Sequence, residues 1–232
     1  MRGKIQQSRM IYLPNEPKAM TIHAPSPTFR GLAARLAERS PVEIPSTALF
    51  HAAVALIIRE GDDGSEILFI ERASHDGDPW SGDLGFPGGK IEPGDAGPRE
   101  AAERETLEEL ALDLGEAFYL GRLDDIAGAN LPVRVSCFVY GLAGDQSLTL
   151  SGEVRDAFWV SLADLCDSQR HVDAMVSFDG KSFQRPAIVL PVEGKPVLWG
   201  ITYRLTMQFL EVATGDDCPQ ALRGRGELDG EL

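Results

Sequence analysis

Three glutamates are placed where their carboxylates can act together. Glu105, Glu108 and Glu109 stand at positions i, i+3 and i+4 of a segment that predicts a helix. An α-helix turns about 100° per residue, so the three side chains share one arc of its surface. Neighbouring carboxylates repel one another unless one binds a proton or a cation lies among them, and Mg²⁺ prefers oxygen ligands. The spacing therefore indicates a metal-binding platform, although a Glu-rich face is also an ordinary solvated surface.

The helix that must carry these glutamates is predicted over about residues 98–112. Pro98 suits the first helical position, where a missing backbone N–H costs nothing. Leu107, Leu110 and Leu114 centre on the side opposite the glutamates. We therefore expect the helix to bury its leucines and to present its carboxylates to a cleft.

A glycine loop precedes the acidic helix. Phe86 and Pro87 lead into Gly88 and Gly89, at the end of a short predicted strand. Without a Cβ, two consecutive glycines let backbone amides and carbonyls approach a ligand closely. The order of strand, glycine loop and acidic helix is typical of a site for phosphate and metal.

The segment from Gly89 to Glu109 resembles the signature of the Nudix hydrolases. That signature runs Gly, five residues, Glu, seven residues, and then Arg-Glu-aliphatic-x-Glu-Glu-x-Gly. Here Gly89 opens the pattern, Asp95 stands where the first Glu is expected, and eight residues precede Arg104. Ala111 replaces the final Gly.

Further segments are similar to the coenzyme A pyrophosphatase branch of this family. Glu92 and Asp95 form the acidic pair that precedes the longer loop of that branch, and residues 82–89 keep its Phe-Pro-Gly-Gly ending. Residues 78–80 read Asp-Pro-Trp where the branch has Arg-x-His. Residues 197–202, followed by an apolar helix, resemble its closing element, so the similarity covers most of the chain.

The resemblance implies an α/β protein with the Nudix fold, a mixed β-sheet sandwiched between α-helices. It also implies Mg²⁺ or Mn²⁺ held by Glu105, Glu108 and Glu109. The Gly88 carbonyl is a further ligand in this interpretation, although a tight turn alone would explain the glycine. Arg104 is implied to orient a metal-binding carboxylate through an ion pair, with a surface i, i+4 pair as the alternative.

Other predicted site residues lie outside the helix. Glu153 is similar to a loop carboxylate that the family places opposite the helix, as general base or fourth ligand; otherwise it is an exposed loop residue, and a helix glutamate takes the proton. Arg72 and Lys90 flank the expected phosphate site, or are plain surface residues. Trp80 is predicted to stack on adenine, or else to pack against the domain.

The function implied is hydrolysis of the pyrophosphate bond of a nucleoside diphosphate linked to another moiety. Coenzyme A or an acyl derivative is the first candidate substrate, and ADP-ribose or a dinucleotide is the second. A different class stays open, a Nudix-like regulatory module that binds a nucleotide without cleaving it. The family also often forms homodimers.

The composition of the chain limits the classes of partner that we expect it to bind. The chain has 232 residues and a net charge of −14, which disfavours binding to a nucleic-acid backbone. The sequence contains neither a membrane-length apolar run nor the apolar core of a signal peptide, and its three cysteines have no metal-ligand spacing, so we expect a cytoplasmic protein. We predict a mobile arm over residues 1–28, one domain over 29–214 and a flexible acidic tail over 215–232.

Hydrophobic periodicity predicts the remaining elements. The predicted strands cover residues 48–58, 67–70, 84–86, 118–123, 133–142, 157–160, 182–183 and 188–190. Two further helices are predicted over residues 161–166 and 201–212.

Overall fold

Most of the chain forms two β-sheets and four α-helices in the computed structural model, which describes residues 24–45, 49–74, 80–128, 132–178 and 180–215. The strands of the main, eight-stranded sheet are β1 (Phe50–Gly61), β2 (Gly64–Arg72), β3 (Leu84–Gly85), β4 (Gly88–Lys90), β5 (Phe118–Arg122), β6 (Ile126–Ala127), β7 (Val133–Gly141) and β8 (Val154–Ser161). The strands of the second sheet are β9 (His171–Phe178), β10 (Lys181–Ile188) and β11 (Leu198–Trp199). The helices are α1 (Pro27–Ala37), α2 (Pro98–Leu110), α3 (Leu162–Cys166) and α4 (Gly200–Thr214), with 3₁₀ turns at Leu114–Glu116 and Ser168–Arg170.

The main sheet is mixed, as predicted. Its central strands run in the order β3-β2-β1-β7-β5, and β1 and β7 are parallel. The other pairs in the sheet are antiparallel. The short strand β4 pairs with the beginning of β1, with Gly88 opposite Val54. This pairing fixes the glycine loop against the middle of the sheet.

The sheet lies between helices because β1 is apolar on both faces. Ala53, Ala55 and Ile57 pack with the buried residues of α2. Leu56 and Ile58 point the other way and belong to the core that α1 and α4 complete. This alternation has the period of two expected for a strand, and it confirms the sandwich of helices around a mixed sheet.

The orientation of α2 differs from the prediction. Leu107 is 50% exposed, whereas Glu109 is only 3% exposed. The buried stripe follows Ala102, Thr106 and Glu109, at positions i, i+4 and i+7. Small side chains on this stripe let the helix approach β1 and β4, so one of the three glutamates turns inward with them and Leu107 turns outward.

One further difference concerns the amino-terminal end of the domain. Helix α1 begins at Pro27 with Ser26 as its N-cap, inside the segment predicted as a mobile arm, and its Phe29 is 2% exposed in the core. The rest of the predicted arm, residues 1–23, and the predicted tail from residue 216 lie outside the described residues. Among the helices described, none has the length and apolar content needed to cross a bilayer.

Candidate active site

Glu109 is the most buried acidic group near the glycine loop. Its Oε2 accepts a hydrogen bond from the backbone N–H of Gly88 at 3.0 Å. The pKa of Glu109 is raised to about 7, chiefly by burial; the negative charges of Glu105 and Glu153 also raise it, whereas the hydrogen bond from Gly88 and the charge of Arg72 lower it. The carboxyl is therefore poised between its protonated and ionised forms near neutral pH.

Glu105 lies against the same loop. A Cβ built on Gly89 would be 2.5 Å from the carboxyl carbon of Glu105, so the absence of a side chain at Gly89 is what makes room for this carboxylate. Burial raises the pKa of Glu105, the contact with Arg104 opposes that effect, and Glu108 and Glu153 raise it again. Gly88 thus accommodates Glu109 by donating its amide N–H, and Gly89 accommodates Glu105 because it has no side chain.

Arg104 ties the acidic helix to the loop before it. Its Nη1 lies 3.0 Å from Glu105 Oε1 and 3.2 Å from Glu108 Oε2. Its Nε and Nη2 contact the two oxygens of Asp95 at 3.0 and 3.2 Å, and Nη2 also donates to the Lys90 carbonyl at 3.1 Å. This fork-to-fork pairing uses the planar guanidinium in the way that a lysine cannot. Arg104 is a positioning residue between loop and platform.

Asp95, which replaces the expected glutamate, has a structural partner on each side. Its Oδ2 accepts from the Glu92 backbone N–H at 2.7 Å, and Arg104 contacts both of its oxygens. The hydrogen bond from Arg104 is the main cause of the lowered pKa of Asp95. The sequence shows that Asp95 stands in place of a glutamate. It does not show that this shorter side chain both closes the turn from Glu92 and anchors Arg104.

Glu108 and Glu153 are the exposed members of the acidic group. The Glu108 side chain is 59% exposed and contacts Arg104. Glu153 is exposed in the turn before β8, and its carbonyl accepts from the Ala73 backbone N–H at 2.8 Å. Because the charge of Glu153 raises the pKa of both Glu105 and Glu109, this turn lies across from the buried pair.

The carboxylates near the glycine loop are the donor type that a divalent cation prefers. In the part of the chain that the structure describes, no three His, Cys, Asp or Glu side chains converge closely enough to hold a metal ion as they stand. Arg104 engages Glu105 and Glu108, and Gly88 engages Glu109. The charge of Glu153 nevertheless raises the pKa values of Glu105 and Glu109, and a hard cation relieves such repulsion between carboxylates. Side-chain rotation about the fixed helix would be needed to bring three together.

A cavity of about 600 Å³ opens beside the glycine loop. Gly88 and Gly89 line it together with the start of α4. The four predicted glutamates are not among its lining residues, whereas Arg72, Trp80 and Lys90 all are. The structure thus places the predicted substrate-binding residues around one cavity. The acidic residues lie outside its lining, next to the glycine loop, which does line it. Arg72 joins the two, because its charge also acts on Glu109.

Trp80 packs against the domain, which was the alternative to adenine stacking, and it also faces the cavity. Its ring centroid is 6.3 Å from that of Phe178, which in turn is 6.3 Å from Trp199. The Trp199 indole N–H donates to Asp83 Oδ1 at 3.0 Å. Sequence reasoning missed Phe178 because strand β9 was not predicted. Trp199 lies in the closing element already noted, and that similarity was the signal available for it.

A buried polar chain lies beneath the cavity. Arg134 contacts His51 Nδ1 at 3.0 Å, so this nitrogen is the acceptor and Nε2 carries the proton toward Ser136 Oγ at 2.9 Å. Ser136 then donates to Asp125 Oδ1 at 2.7 Å, and Arg122 pairs with the same oxygen at 2.6 Å. Burial lowers the pKa of His51. Both ring nitrogens are used, so this histidine supports the cavity floor.

Comparison with known proteins identifies the family. The model of the NUDIX domain matches residues 49–184, more than half of the chain. "Uncharacterized protein C14C4.10c" of Schizosaccharomyces pombe is 33% identical over 167 residues, which cover 60% of this chain and 51% of that protein. "Mitochondrial coenzyme A diphosphatase NUDT8" of Homo sapiens is 30% identical over 142 residues, which cover 60% of this chain and 59% of that protein. The matches therefore span little more than half the length of these curated relatives.

Solved structures that this chain resembles include a C. elegans Ap4A hydrolase in a binary complex. It is 24% identical, with a TM-score of 0.43 over 49% of this chain and 82% of the hydrolase. The glycine loop, the acidic helix and the mixed sheet all lie within the residues that the family model matches. The chain belongs to the Nudix family.

Proposed function

We propose that this chain is a divalent-metal-dependent Nudix pyrophosphohydrolase, with coenzyme A or an acyl derivative as its substrate. The observation that carries the proposal is that Glu109 accepts from the Gly88 N–H at 3.0 Å and Glu105 occupies the space beside Gly89, so that two acidic side chains are held against the glycine loop. A non-catalytic nucleotide-binding module would have no need to hold acidic groups at a cost in desolvation. Retention of all three helix glutamates therefore favours an enzyme.

Glu105 and Glu109 would hold the cation, together with Glu108 or Glu153. When bound, Mg²⁺ or Mn²⁺ supplies charge neutralisation for pyrophosphate oxygens and makes nearby water more acidic. Glu109 must lose its proton to serve as a ligand, and because its pKa is about 7 without metal, a cation that binds near neutral pH would displace that proton. Arg104 keeps the helix and the loop in register while the carboxylates change partners.

The chain's own residues can supply the proton acceptor and the substrate contacts. In the proposed reaction a water oxygen attacks one phosphorus, the bridging P–O bond breaks, and the water proton passes to a carboxylate. Glu153 is exposed and faces the buried pair, so it is the first candidate for this acceptor. Arg72 and Lys90 line the cavity together with Gly88 and Gly89, and their positive charges can neutralise phosphate oxygens there.

One observation supports coenzyme A over other nucleotide derivatives, and a second is compatible with it. A human relative with 30% identity is named as a coenzyme A diphosphatase. The cavity beside the glycine loop, at about 600 Å³, offers room for a second moiety beyond the pyrophosphate. The products would be 3′,5′-ADP and 4′-phosphopantetheine, with any thioester left intact.

The test is a panel of coenzyme A, dephospho-coenzyme A, ADP-ribose and a dinucleoside polyphosphate, each assayed with Mg²⁺ and with Mn²⁺. We expect kcat/KM for coenzyme A to exceed that for dephospho-coenzyme A by about tenfold or more, because the 3′-phosphate offers a charge-assisted contact. Equal rates on these two compounds, or faster cleavage of ADP-ribose, would assign the protein to another substrate class. No hydrolysis of any compound would favour the regulatory module.

A further inference from the structure

The turn that carries Glu153 is held by backbone hydrogen bonds on both sides. On one side the Ser151 N–H donates to the Glu109 carbonyl at 2.9 Å, and Ser151 Oγ accepts from the Glu153 N–H at 3.2 Å. On the other side the Glu153 carbonyl accepts from the N–H of Ala73, the residue after β2, at 2.8 Å. The position of Glu153 relative to Glu109 therefore depends on how β8 is aligned with the end of β2.

That alignment changes at a β-bulge. Glu71 lies opposite Asp156, whereas the next residue of β2, Arg72, lies opposite Val154. Arg155 is therefore the extra residue of β8. A bulge bends its strand and re-aims the side chains beside it, and bulges are frequent next to active sites. Because this bulge lies at the start of β8, it sets the direction in which the chain leaves the preceding turn.

Lys195 bridges the last regular pair before the bulge. Its Nζ lies 2.8 Å from Glu71 Oε2, and it also contacts the carboxylate of Asp156 on the facing strand. The ammonium is 5.0 Å from the ring centroid of Phe158. Only 12% of the Lys195 side chain and 7% of the Glu71 side chain are exposed, so water screens their attraction less than it screens a surface pair.

A second contact fastens the same segment to the end of β2. The Trp199 indole N–H donates to Asp83 Oδ1 at 3.0 Å, and the Asp83 carbonyl accepts from the Arg72 N–H at 3.1 Å. The segment that includes Lys195 and Trp199 is thus tied to two consecutive residues of β2, the ones between which the register shifts. The family match ends at residue 184, so these ties come from the part of the chain beyond it.

We propose that Lys195 is a positioning residue for hydrolysis, which fixes the bulge and thereby holds the Glu153 turn beside the carboxylates of α2. The inference rests on the proposed function, in which Glu153 accepts the proton of the attacking water. Lys195 does not line the cavity, so it acts through the backbone of β2 and β8. A shift of about 1 Å in a reacting group lowers a rate by as much as about a hundredfold.

Lys195→Met removes the ammonium and keeps an unbranched chain beside Phe158. Glu71 retains Arg155 at 3.0 Å, so the variant should fold, but the bridge to Asp156 is lost. On the compound that the wild type cleaves fastest, with saturating Mg²⁺, we expect kcat to fall by about tenfold or more with a smaller change in KM. Lys195→Arg keeps the charge and should restore most of the rate.

A double-mutant cycle separates positioning from a general loss of structure. If Lys195 acts through Glu153, Lys195→Met should have no further effect on kcat in the Glu153→Gln protein, whereas a merely structural role would lower kcat by the same factor in both backgrounds. Asp156→Asn, at the half-exposed end of the bridge, is a milder second variant for the same cycle. Lys181→Met is the matched control, since Lys181 is exposed on β10 and should leave kcat unchanged.

The outcomes also separate this inference from the proposed function. Losses of kcat that are equal in the two backgrounds would overturn the positioning role and leave hydrolysis itself intact. A normal kcat for both Lys195→Met and Asp156→Asn would do the same. If the wild type hydrolysed no compound of the panel, the proposed function and this inference would fall together.

Discussion

Glu109 shows what residue spacing predicts and what it does not. The i, i+3, i+4 pattern identified three glutamates that can share one arc, and the structure keeps them on one helix beside the glycine loop. It did not predict that Glu109 would be 3% exposed while Leu107 is half exposed. Glutamate usually marks a solvated face, so the burial of one carboxylate against a Gly88 amide has no signal in composition or periodicity.

The raised pKa of Glu109 has a measurable consequence for the metal-free protein. The folded-state pKa is about 7, above the value near 4.3 that a glutamate has in an unfolded chain. Between these values the folded state binds more protons, so stability falls as pH rises through the window. Glu109→Gln removes this term and keeps an oxygen that can accept from Gly88.

We therefore compare the free energy of unfolding of Glu109→Gln with that of the wild type. The difference between them should shift in favour of the variant by on the order of 3 kcal/mol between pH 4 and pH 8. Denaturant unfolding in the presence of a chelator measures this difference. Glu100→Gln, an exposed change on the same helix, should show a difference that does not vary in this way. If the free energies of unfolding of the wild type and Glu109→Gln varied with pH in parallel, the raised pKa of Glu109 would be contradicted.

At the scale of elements, the two glycines of the loop have different tasks. Gly88 has φ 149°, and a Cβ there would be 2.3 Å from the Ala53 carbonyl oxygen, which belongs to the central strand. A Cβ on Gly89 would meet only the end of the flexible Glu105 side chain. Backbone cannot move aside, but a carboxylate can. One glycine therefore serves the fold and the other serves the site.

Alanine substitutions should separate these tasks. Gly88→Ala should destabilise the protein by about 3 kcal/mol or more, because it combines backbone strain with a clash against β1. Gly89→Ala should unfold within a few degrees of the wild type but lose about tenfold or more in kcat/KM, since it displaces Glu105. Thermal unfolding and steady-state kinetics measure both.

Gly94→Ala is the control for this pair, because a Cβ there has no atom within 4 Å. It should change neither stability nor rate appreciably. Full activity of Gly89→Ala would show that the position of Glu105 is unimportant for the reaction.

Most of the elements that the sequence predicted are long ones with a regular apolar pattern, although the short β3 and α3 were predicted as well. The β1–β2 hairpin, β7 and α2 have clear periodicity or turn residues between them, and all are present. Strands β4, β6 and β11 are two or three residues long, which is too short for a pattern to register. Strand β9 was missed although Val172, Ala174, Val176 and Phe178 alternate along it, because the apolar Met175, which is 69% exposed, stands among the polar positions and obscures the pattern.

At the scale of the whole molecule, the cavity depends on contacts that no local pattern reports. Its walls combine β1, β4, β7, β9 and α4, which are far apart in the sequence. The segment before β11 is also held to the main sheet by Lys195, whose Nζ lies 2.8 Å from Glu71 Oε2 and also contacts Asp156. Such long-range ion pairs can be recognised only once the fold is known.

The net charge of the whole molecule affects how an anionic substrate approaches it. A chain with a net charge of −14 repels an anionic pyrophosphate at long range, and Arg72 and Lys90 supply only local compensation. A divalent cation on the acidic helix would let such a substrate approach the glutamates. The central claim is therefore that hydrolysis depends on a cation held by these side chains.

The most direct test is the hydrolysis rate as a function of Mg²⁺ concentration for the wild type and Glu105→Gln, on the compound that the wild type cleaves fastest. We predict no turnover of the wild type in chelator, saturable activation by Mg²⁺, and a kcat for folded Glu105→Gln that is lower by about a hundredfold or more. Comparable wild-type rates with and without Mg²⁺, or a near-normal kcat for Glu105→Gln at saturating Mg²⁺, would contradict the account.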